Sequence, residues 1–417
     1  MLSKTGYFLL QCLLVLISPI LSFLVALRCY NNSISHVFFV VFAFYFGYHC
    51  AFFYDISFHY YEFSAYYVGH SFFSIINNPL VFSHGHDIFH VLVKYAISLV
   101  STSKEVFGGV FCAIHFALFL FFFKQLREAY SKKISTSSGL ILITVCLVFQ
   151  FWWYSNFRFC CAVFYFGGFY LKYIRTRNPI NLLFAALCPL MHYTLVALDA
   201  ALVLELLYKY VFKAKALRYI VLVFSLVIRS FRIDFVPFLV KHVPWVRENM
   251  SYAVVNSESR KIVLKEQEAF REGGNFVYNV RSYVLLLLGL FLIYFFKRCH
   301  AKTNGKYLPA FYMFLTIFTL ANFGYADMHV YNRLMQASML FLWAYVFMVS
   351  VENAPILRHR NLVLTLILVL PVLYFFITPF AQFRNALLYP ELFFGNFFMD
   401  WTGNESDAGY ALYRKFR

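Results

Sequence analysis

Charged residues are scarce in this chain of 417 residues: they make up 13% of it, whereas 62% is hydrophobic and 22% is aromatic. A soluble domain is typically about a quarter charged and about half apolar. The chain therefore has too little polar surface to cover a globule in water. This excludes an ordinary soluble enzyme, a secreted disulfide scaffold and a disordered protein. The length suffices for about ten to thirteen membrane-spanning helices of about 20 residues each.

Several motifs of soluble enzymes are also missing. The sequence has no Walker A loop, no GxGxxG, no GxSxG and no paired zinc cysteines, so ATP-driven chemistry within the chain is not expected. The nine cysteines lie in or beside apolar runs and are predicted to pack as small apolar residues. His86 and His90 have the spacing of the zinc helix HExxH, but Asp87 replaces the glutamate and no third ligand is evident. No metal and no other cofactor is predicted.

Long apolar runs recur along the chain and predict an all-α fold: a polytopic integral membrane bundle of about 11 to 13 transmembrane helices with short half-helices. The predicted spans are 7–28, 36–54, 104–123, 139–155, 157–174, 180–192, 194–208, 216–236, 281–297, 307–324, 331–350 and 361–378. The run 86–101 is too short to cross and is predicted to be a re-entrant or half-membrane helix. The pair 180–192 and 194–208 is predicted to form a tight hairpin that turns near His192. The whole of 1–417 is expected to be a single transmembrane domain.

The net charge of +17 is concentrated in five short loops with few acidic residues. The positive-inside rule makes these loops cytoplasmic, so the excess of basic residues requires no nucleic-acid partner. Their basic residues are Lys124, Arg127, Lys132, Lys133, Lys172, Arg175, Arg177, Lys209, Lys213, Lys215, Arg218, Lys297, Arg298, Lys302, Lys306, Arg358 and Arg360. The remaining loops fall on the outer side, including a cap or lid at 237–280 and a tail at 379–417.

Arginines nevertheless occur at outer helix ends, where the positive-inside rule predicts few. Because a guanidinium keeps its charge and offers a planar fork of donors, several of them converging would form a site for pyrophosphate. The alternative is that each arginine reaches lipid headgroups or pairs with a nearby acid. The four outer arginines are Arg158, Arg232, Arg281 and Arg333.

Other polar residues near the outer side are candidates for catalysis or sugar binding. His192, at the turn of the short hairpin, is a candidate general base or phosphate contact, or a buried histidine bonded to a carbonyl. The base that activates an acceptor hydroxyl is predicted among Asp55, Asp327 and His329, with no order of preference. Tyr60, Tyr61 and Glu62 follow the second span and are predicted to bind sugar, although tyrosines are also common at membrane interfaces.

Several short segments, in this order, resemble those of the EpsG-like and Wzy-type polymerases of bacterial surface polysaccharides. The similar segments are Asp55 with Tyr60-Tyr61, residues 86–94 (E-P-x-F-x-x-L-x-K in that family), 157–162 (x-R-Q-x-x-A), 190–194 (x-x-x-H-x-S) and Arg333. The chain departs from the family pattern at His86-Asp87, where Glu-Pro is usual, and at 159–161, where glutamine is usual.

The resemblance implies a GT-C-like, metal-independent glycosyltransferase in the bacterial inner membrane, with its active site on the periplasmic face. Such an enzyme joins O-antigen or exopolysaccharide repeat units carried on undecaprenyl pyrophosphate, as in lipopolysaccharide biosynthesis. The implied partners are the lipid-linked donor and acceptor glycans, membrane lipid and a chain-length regulator protein. The loop 237–280 would cover the acceptor sugar.

Two alternatives remain open on the sequence. An O-antigen ligase-like transferase would use the same donor, and its chemistry would look alike. A transporter or flippase of lipid-linked oligosaccharides would more often show internal repeats and charges at the bilayer midplane. No repeat is visible in this sequence, and the predicted outer charges gather at one face.

Overall fold

The computed structural model describes residues 3–29, 32–49, 54–78, 81, 87–128, 136–148, 157–213, 215–231, 276–298, 305, 307–325, 328–352 and 368–369. Every regular element in these ranges is helical, which confirms the all-α prediction for them. The α-helices are α1 (Lys4–Ile17), α2 (Pro19–Arg28), α3 (Ser33–His49), α4 (Tyr54–Tyr66), α5 (Phe72–Ile76), α6 (Ile88–Ser98), α7 (Lys104–Glu128), α8 (Thr136–Val148), α9 (Phe157–Thr176), α10 (Ile180–Ala185), α11 (Val196–Leu206), α12 (Lys215–Ser230), α13 (Phe276–Arg298), α14 (Leu308–Phe323) and α15 (Met328–Glu352).

Two helices in the described ranges are long and apolar enough to cross a membrane: α7, and α15 from residue 330 onward. Other helices, such as α3, α6 and α14, are apolar but shorter than 18 residues. The length and composition of these two helices therefore support the prediction that the protein is a membrane protein. The number of 11 to 13 spans stays a prediction.

The first predicted span, 7–28, is not one helix. The chain is extended at Ser18 (φ −157°, ψ 105°), and Pro19 starts a new helix, α2. Proline lacks the backbone N–H of a continuing helix but fits the first helical position. The prediction of a single helix was therefore wrong, because it followed apolar length and ignored the proline.

In the predicted hairpin, 180–208, the α-helical structure has more breaks than the apolar pattern suggested. α10 ends at Ala185, and two 3-10 turns, Cys188–Leu190 and Tyr193–Leu195, flank His192 before α11 begins. A π-helix, Leu207–Val211, follows α11. Neither α10 nor α11 is long enough to cross a bilayer, which agrees with the predicted short half-helices.

Two predicted regions lie largely outside the described residues. The cap at 237–280 is described only at 276–280, and these residues belong to α13, so the predicted start of that helix at 281 was too late. The tail 379–417 is outside the described ranges, and the span 361–378 is described only at 368–369.

Helices α3 and α7 approach each other closely at two glycines. A Cβ added at Gly47 would lie 2.5 Å from the backbone oxygen of Gly108 and 2.4 Å from the Cβ of Cys112. Small residues at a crossing let two helix backbones come together, as is common between membrane helices. This contact joins the helix before α4 to the helix after α6, and so brings the elements of the candidate site together.

The core of the bundle is helix α15. Its apolar window is 94% buried, compared with 44% for that of α7, and it packs against α8, α9, α13 and α14. Peripheral helices turn large apolar side chains outward instead. On α12, Ile220, Val223, Phe224 and Val227 are all exposed.

Candidate functional site

Seven polar side chains from distant parts of the chain meet beside the start of α9, and we call them the polar cluster. They come from α4, from Asp87 and α6, from α9 and from the turn between the two 3-10 helices. The members are His59, Glu62, Asp87, His90, Lys94, Arg158 and His192.

Asp87 joins three of these segments. It is the residue before α6 and is 3% exposed, and its side chain does not cap that helix. Arg158 donates a hydrogen bond from Nη1 to Asp87 Oδ2 at 2.8 Å. His192 Nδ1 lies 3.4 Å from the same oxygen. One buried carboxylate therefore pairs with an arginine and lies close to a histidine.

The position of Arg158 explains why it is paired with an acid. It lies in the first turn of α9, where the helix dipole is positive and disfavours another positive charge. The negative carboxylate of Asp87 offsets both the charge of Arg158 and the positive end of the helix dipole. Phe157 fixes the start of the helix, since its ring packs 4.4 Å from that of Phe111 and 4.9 Å from that of His90, measured between centroids.

A second ion pair, between Lys94 and Glu62, lies next to the first. The Lys94 side chain is fully buried, and its Nζ lies 2.7 Å from Glu62 Oε2. His59 Nδ1 is 3.1 Å from the same carboxylate oxygen. Burial by itself would raise the pKa of the Glu62 carboxyl, but the hydrogen bond with His59 and the charge of Lys94 lower it to about 2. Glu62 is therefore ionised at neutral pH.

His90 lies between the two ion pairs. Its ring centroid is 4.6 Å from that of His59, and the residue is 4% exposed. The charges of Lys94 and Arg158 both act on it. Its Nε2 has no hydrogen-bond partner among the described residues. The cluster contains two carboxylates, Asp87 and Glu62, and two cations, Lys94 and Arg158.

Of the four predicted outer arginines, the structure locates the side chains of two. Arg158 belongs to the cluster, and Arg333 on α15 lies within electrostatic range of His192. Arg333 is half-buried and has no ion-pair partner in the described part of the chain. Arg281 lies on α13, but its side chain is outside the described residues, as is the whole of Arg232.

The predicted bases are not located. Asp55 lies on α4 and His329 on α15, but neither side chain is described, and Asp327 lies outside the described residues. His86, the partner of His90 in the zinc-like spacing, also lies outside them. Their roles stay predictions.

The three predicted sugar-binding residues differ in their surroundings. The Tyr60 hydroxyl donates to the carbonyl oxygen of Thr102 at 3.1 Å, and Tyr61 is 54% exposed. The Glu62 carboxylate is engaged by Lys94 and His59. Of the three, Tyr61 is the one most open to a ligand.

Four members of the cluster were not predicted as site residues from the sequence: His59, Asp87, His90 and Lys94. A signal was present, because Asp87, His90 and Lys94 have the i, i+3, i+7 spacing that places side chains on one face of a helix. Ionisable residues in an apolar helix are a functional indication by themselves. The partners of this face could not be deduced, since they come from other segments.

Another arginine, Arg229 in the last turn of α12, is surrounded by aromatic rings. Its guanidinium carbon lies 4.7 Å from the ring centroid of Tyr325 and 5.2 Å from those of Tyr283 and Tyr331. Its Nη1 donates to Asn322 Oδ1 at 3.2 Å. These contacts tie the end of α12 to α13, α14 and α15, which is a structural role.

The chemistry available to the cluster follows from its geometry. A carboxylate next to a histidine can orient the imidazole and stabilise its protonated form, as in acid–histidine pairs of many enzymes. The guanidinium groups of Arg158 and Arg333 both lie within electrostatic range of His192, and such groups can hold an anion. No protein-family model matches the chain, and no curated protein or solved structure matches it either.

Proposed function

We propose that this protein is a polysaccharide polymerase: a GT-C-like, polytopic glycosyltransferase that joins repeat units carried on undecaprenyl pyrophosphate at the periplasmic face of the bacterial inner membrane. The observation that carries the proposal is the buried Asp87 carboxylate, which contacts both Arg158 and His192. The resemblance of the sequence to EpsG-like and Wzy-type polymerases supplies the substrate class.

The outward-facing side chains support insertion in a membrane. Large apolar residues are exposed on α1, α2, α12 and α13, including Leu13, Leu24, Val223 and Leu287. A soluble protein rarely exposes large apolar patches, whereas lipid tails can cover such side chains. A polyprenyl chain requires access of this kind from the bilayer.

In the proposed reaction, the acceptor hydroxyl attacks C1 of the donor sugar. The C1–O bond to the pyrophosphate breaks, and the lipid pyrophosphate leaves with the electron pair. The hydroxyl proton passes to His192, whose imidazolium is stabilised by Asp87. Arg158 and Arg333 stabilise the charge that grows on the pyrophosphate as the bond breaks. No nucleotide or metal is required in this scheme.

The test replaces His192 with Asn, and Arg158 or Arg333 with Lys, in cells that depend on this protein for polymer. Loss of a general base typically lowers the rate by about 100-fold or more, so chain extension should fail while single repeat units still reach the outer surface. The readout is the ladder of polymer lengths on a gel, together with surface labelling of single units.

Helix α9 provides a matched control. Arg175, near its other end, is paired with Glu128 in the same manner as Arg158 with Asp87. Arg175→Lys should leave the ladder unchanged. If the cluster variants trap the repeat units inside the cell, the protein is a flippase. If polymers keep their length but are not transferred to their final carrier, it is a ligase. Either result overturns the proposal.

A further inference from the structure

The bundle contains a cavity of about 290 Å³ far from the polar cluster. It lies at the end of α9 opposite Arg158, a separation of about 25 Å at 1.5 Å per residue. Its walls include Tyr170, Tyr173, Tyr208 and Tyr312, and its volume is close to the lower end of about 300–1,000 Å³ that is usual for small-ligand pockets. The proposed reaction makes no use of it.

The residues that line the cavity carry a strong excess of positive charge. Four of them are basic: Arg177, Lys209, Lys213 and Arg218. Glu205 is the one acidic residue in the described lining, and it is already engaged, because Arg218 donates to both of its oxygens at 3.1 and 2.9 Å. Thr316 also donates to Glu205. Among the described lining residues, Lys209 and Lys213 therefore bear positive charges that Glu205 does not balance.

The charges are arranged by depth. Arg218 and Glu205 are buried and form the inner end, where Arg218 also stacks on Tyr312 and Tyr208, with 4.2 and 4.9 Å between the guanidinium carbon and the ring centroids. The side chains of Arg177, Lys209 and Lys213 are exposed and surround the mouth. Lys209 Nζ lies 3.4 Å from the hydroxyl of Tyr173.

The backbone around the mouth is unusual as well. In the described ranges, Arg177 (φ 58°) and Lys213 (φ 49°) are the only non-glycine residues with positive φ, and both line this cavity. Such conformations cost free energy and persist where the surroundings hold them. The π-helix Leu207–Val211 carries Lys209, and π-helical turns are frequent at functional sites. The segments that present the cations are thus held in specific conformations.

We propose that this basic cavity binds a phosphate group, supplied either by the headgroup of an anionic lipid in the adjacent leaflet or by a soluble phosphorylated molecule. Lys209, Lys213 and Arg177 contact the phosphate oxygens at the mouth, and the hydroxyl of Tyr173, which accepts from Lys209, donates to a polar atom next to the phosphate. The inner Arg218–Glu205 pair keeps the wall in place and does not bind the ligand. The site is independent of the polymerase proposal.

The test measures binding to the purified full-length protein in neutral detergent by calorimetry. The probes are inorganic phosphate and dihexanoyl phosphatidylglycerol, with dihexanoyl phosphatidylcholine as a neutral-headgroup control. Loss of charge-assisted contacts weakens binding, so Lys209→Gln/Lys213→Gln should weaken binding by at least about tenfold, which corresponds to about 1.4 kcal/mol. Lys124→Gln/Lys172→Gln removes the same charge from the same end of the bundle but outside the cavity, and should change binding less than about threefold.

The outcomes distinguish binding of a lipid headgroup from binding of a soluble phosphorylated molecule, and they show when the proposal fails. Binding of the short-chain anionic lipid alone assigns a lipid headgroup, and binding of inorganic phosphate assigns a soluble ligand. The proposal is overturned if neither probe binds the wild-type protein. It is also overturned if the control double variant loses as much affinity as Lys209→Gln/Lys213→Gln, since general surface charge would then account for the binding. The gel ladder of polymer lengths is a separate measurement, so polymerase activity can fail or hold without changing this result.

Discussion

Arg158 at the start of α9 and Asp87 before α6 are 71 residues apart in sequence, yet the arginine donates to the carboxylate at 2.8 Å. Asp87 is almost fully buried, whereas the Arg158 side chain is 23% exposed. Asp87 thus has little access to solvent, and Arg158 supplies the counter-charge for its carboxylate. The same carboxylate lies 3.4 Å from His192 Nδ1, so the ion pair is next to the turn that carries this histidine.

A double-mutant cycle on this pair should reveal strong coupling. Asp87→Ala, Arg158→Ala and the double variant are compared by unfolding in detergent, and the expected interaction free energy is about 1–3 kcal/mol. The control is the exposed pair Glu128 and Arg175, where the same cycle should give less than about 1 kcal/mol. Equal coupling at both pairs would show that burial of Asp87 adds nothing.

Removing Lys94 alone should destabilise the protein more than removing it together with its partner. Lys94→Met leaves the Glu62 carboxylate next to apolar side chains without its main counter-charge, with an expected cost of about 3–5 kcal/mol. Lys94→Met/Glu62→Gln removes both charges and should recover most of that stability. The measurement is the free energy of unfolding in detergent. A double variant as unstable as the single one would contradict the pairing.

The low pKa of Glu62 makes stability depend on pH in a defined direction. Its pKa falls from 4.5 to about 2 on folding, so the folded state binds fewer protons than the unfolded state between these values. The stabilisation is complete above pH 4.5 and is lost as the pH falls toward 2, with a total on the order of 3 kcal/mol.

This pH dependence is checked by comparing the unfolding free energy of the wild-type protein with that of Glu62→Gln at several pH values. Glutamine does not titrate, so the difference between the two proteins should shrink as the pH is lowered from 5 to 3. A difference that stays constant across this window would mean that the Glu62–Lys94 ion pair does not stabilise the fold.

The close crossing of α3 and α7 predicts that Gly47 tolerates no side chain. In Gly47→Ala, the new Cβ would meet the backbone oxygen of Gly108 at 2.5 Å, and backbone cannot move aside as a side chain can. The expected loss is about 1–3 kcal/mol. Gly139 on α8 has open space around its Cβ position, so Gly139→Ala should be neutral or stabilising by up to about 1 kcal/mol. Thermal unfolding in detergent measures both, and equal effects would rule out the crossing.

Part of the candidate site could be predicted from the sequence, and there is a physical reason why the other residues could not. Arg158, His192 and Arg333 were identified because a polar group at the end of an apolar helix is visible as a local pattern. Asp87 and Lys94 were missed as site residues because their importance depends on a partner elsewhere in the chain. Similarly, Glu62 was predicted to bind sugar, and its contact with Lys94 could not be foreseen.

The amino-acid sequence by itself determined that the described part of the chain is helical and roughly where most of its helices begin and end, and its scarcity of charge predicts too little polar surface for water. These properties follow from the local spacing of apolar residues. Only the tertiary structure decided that α15 is the central helix, because lipid and protein core are equally apolar and hydropathy cannot distinguish them. It also decided which charges meet: Coulomb energy depends on distance in space, and the distances between Asp87, Arg158 and His192 are set by how the helices pack.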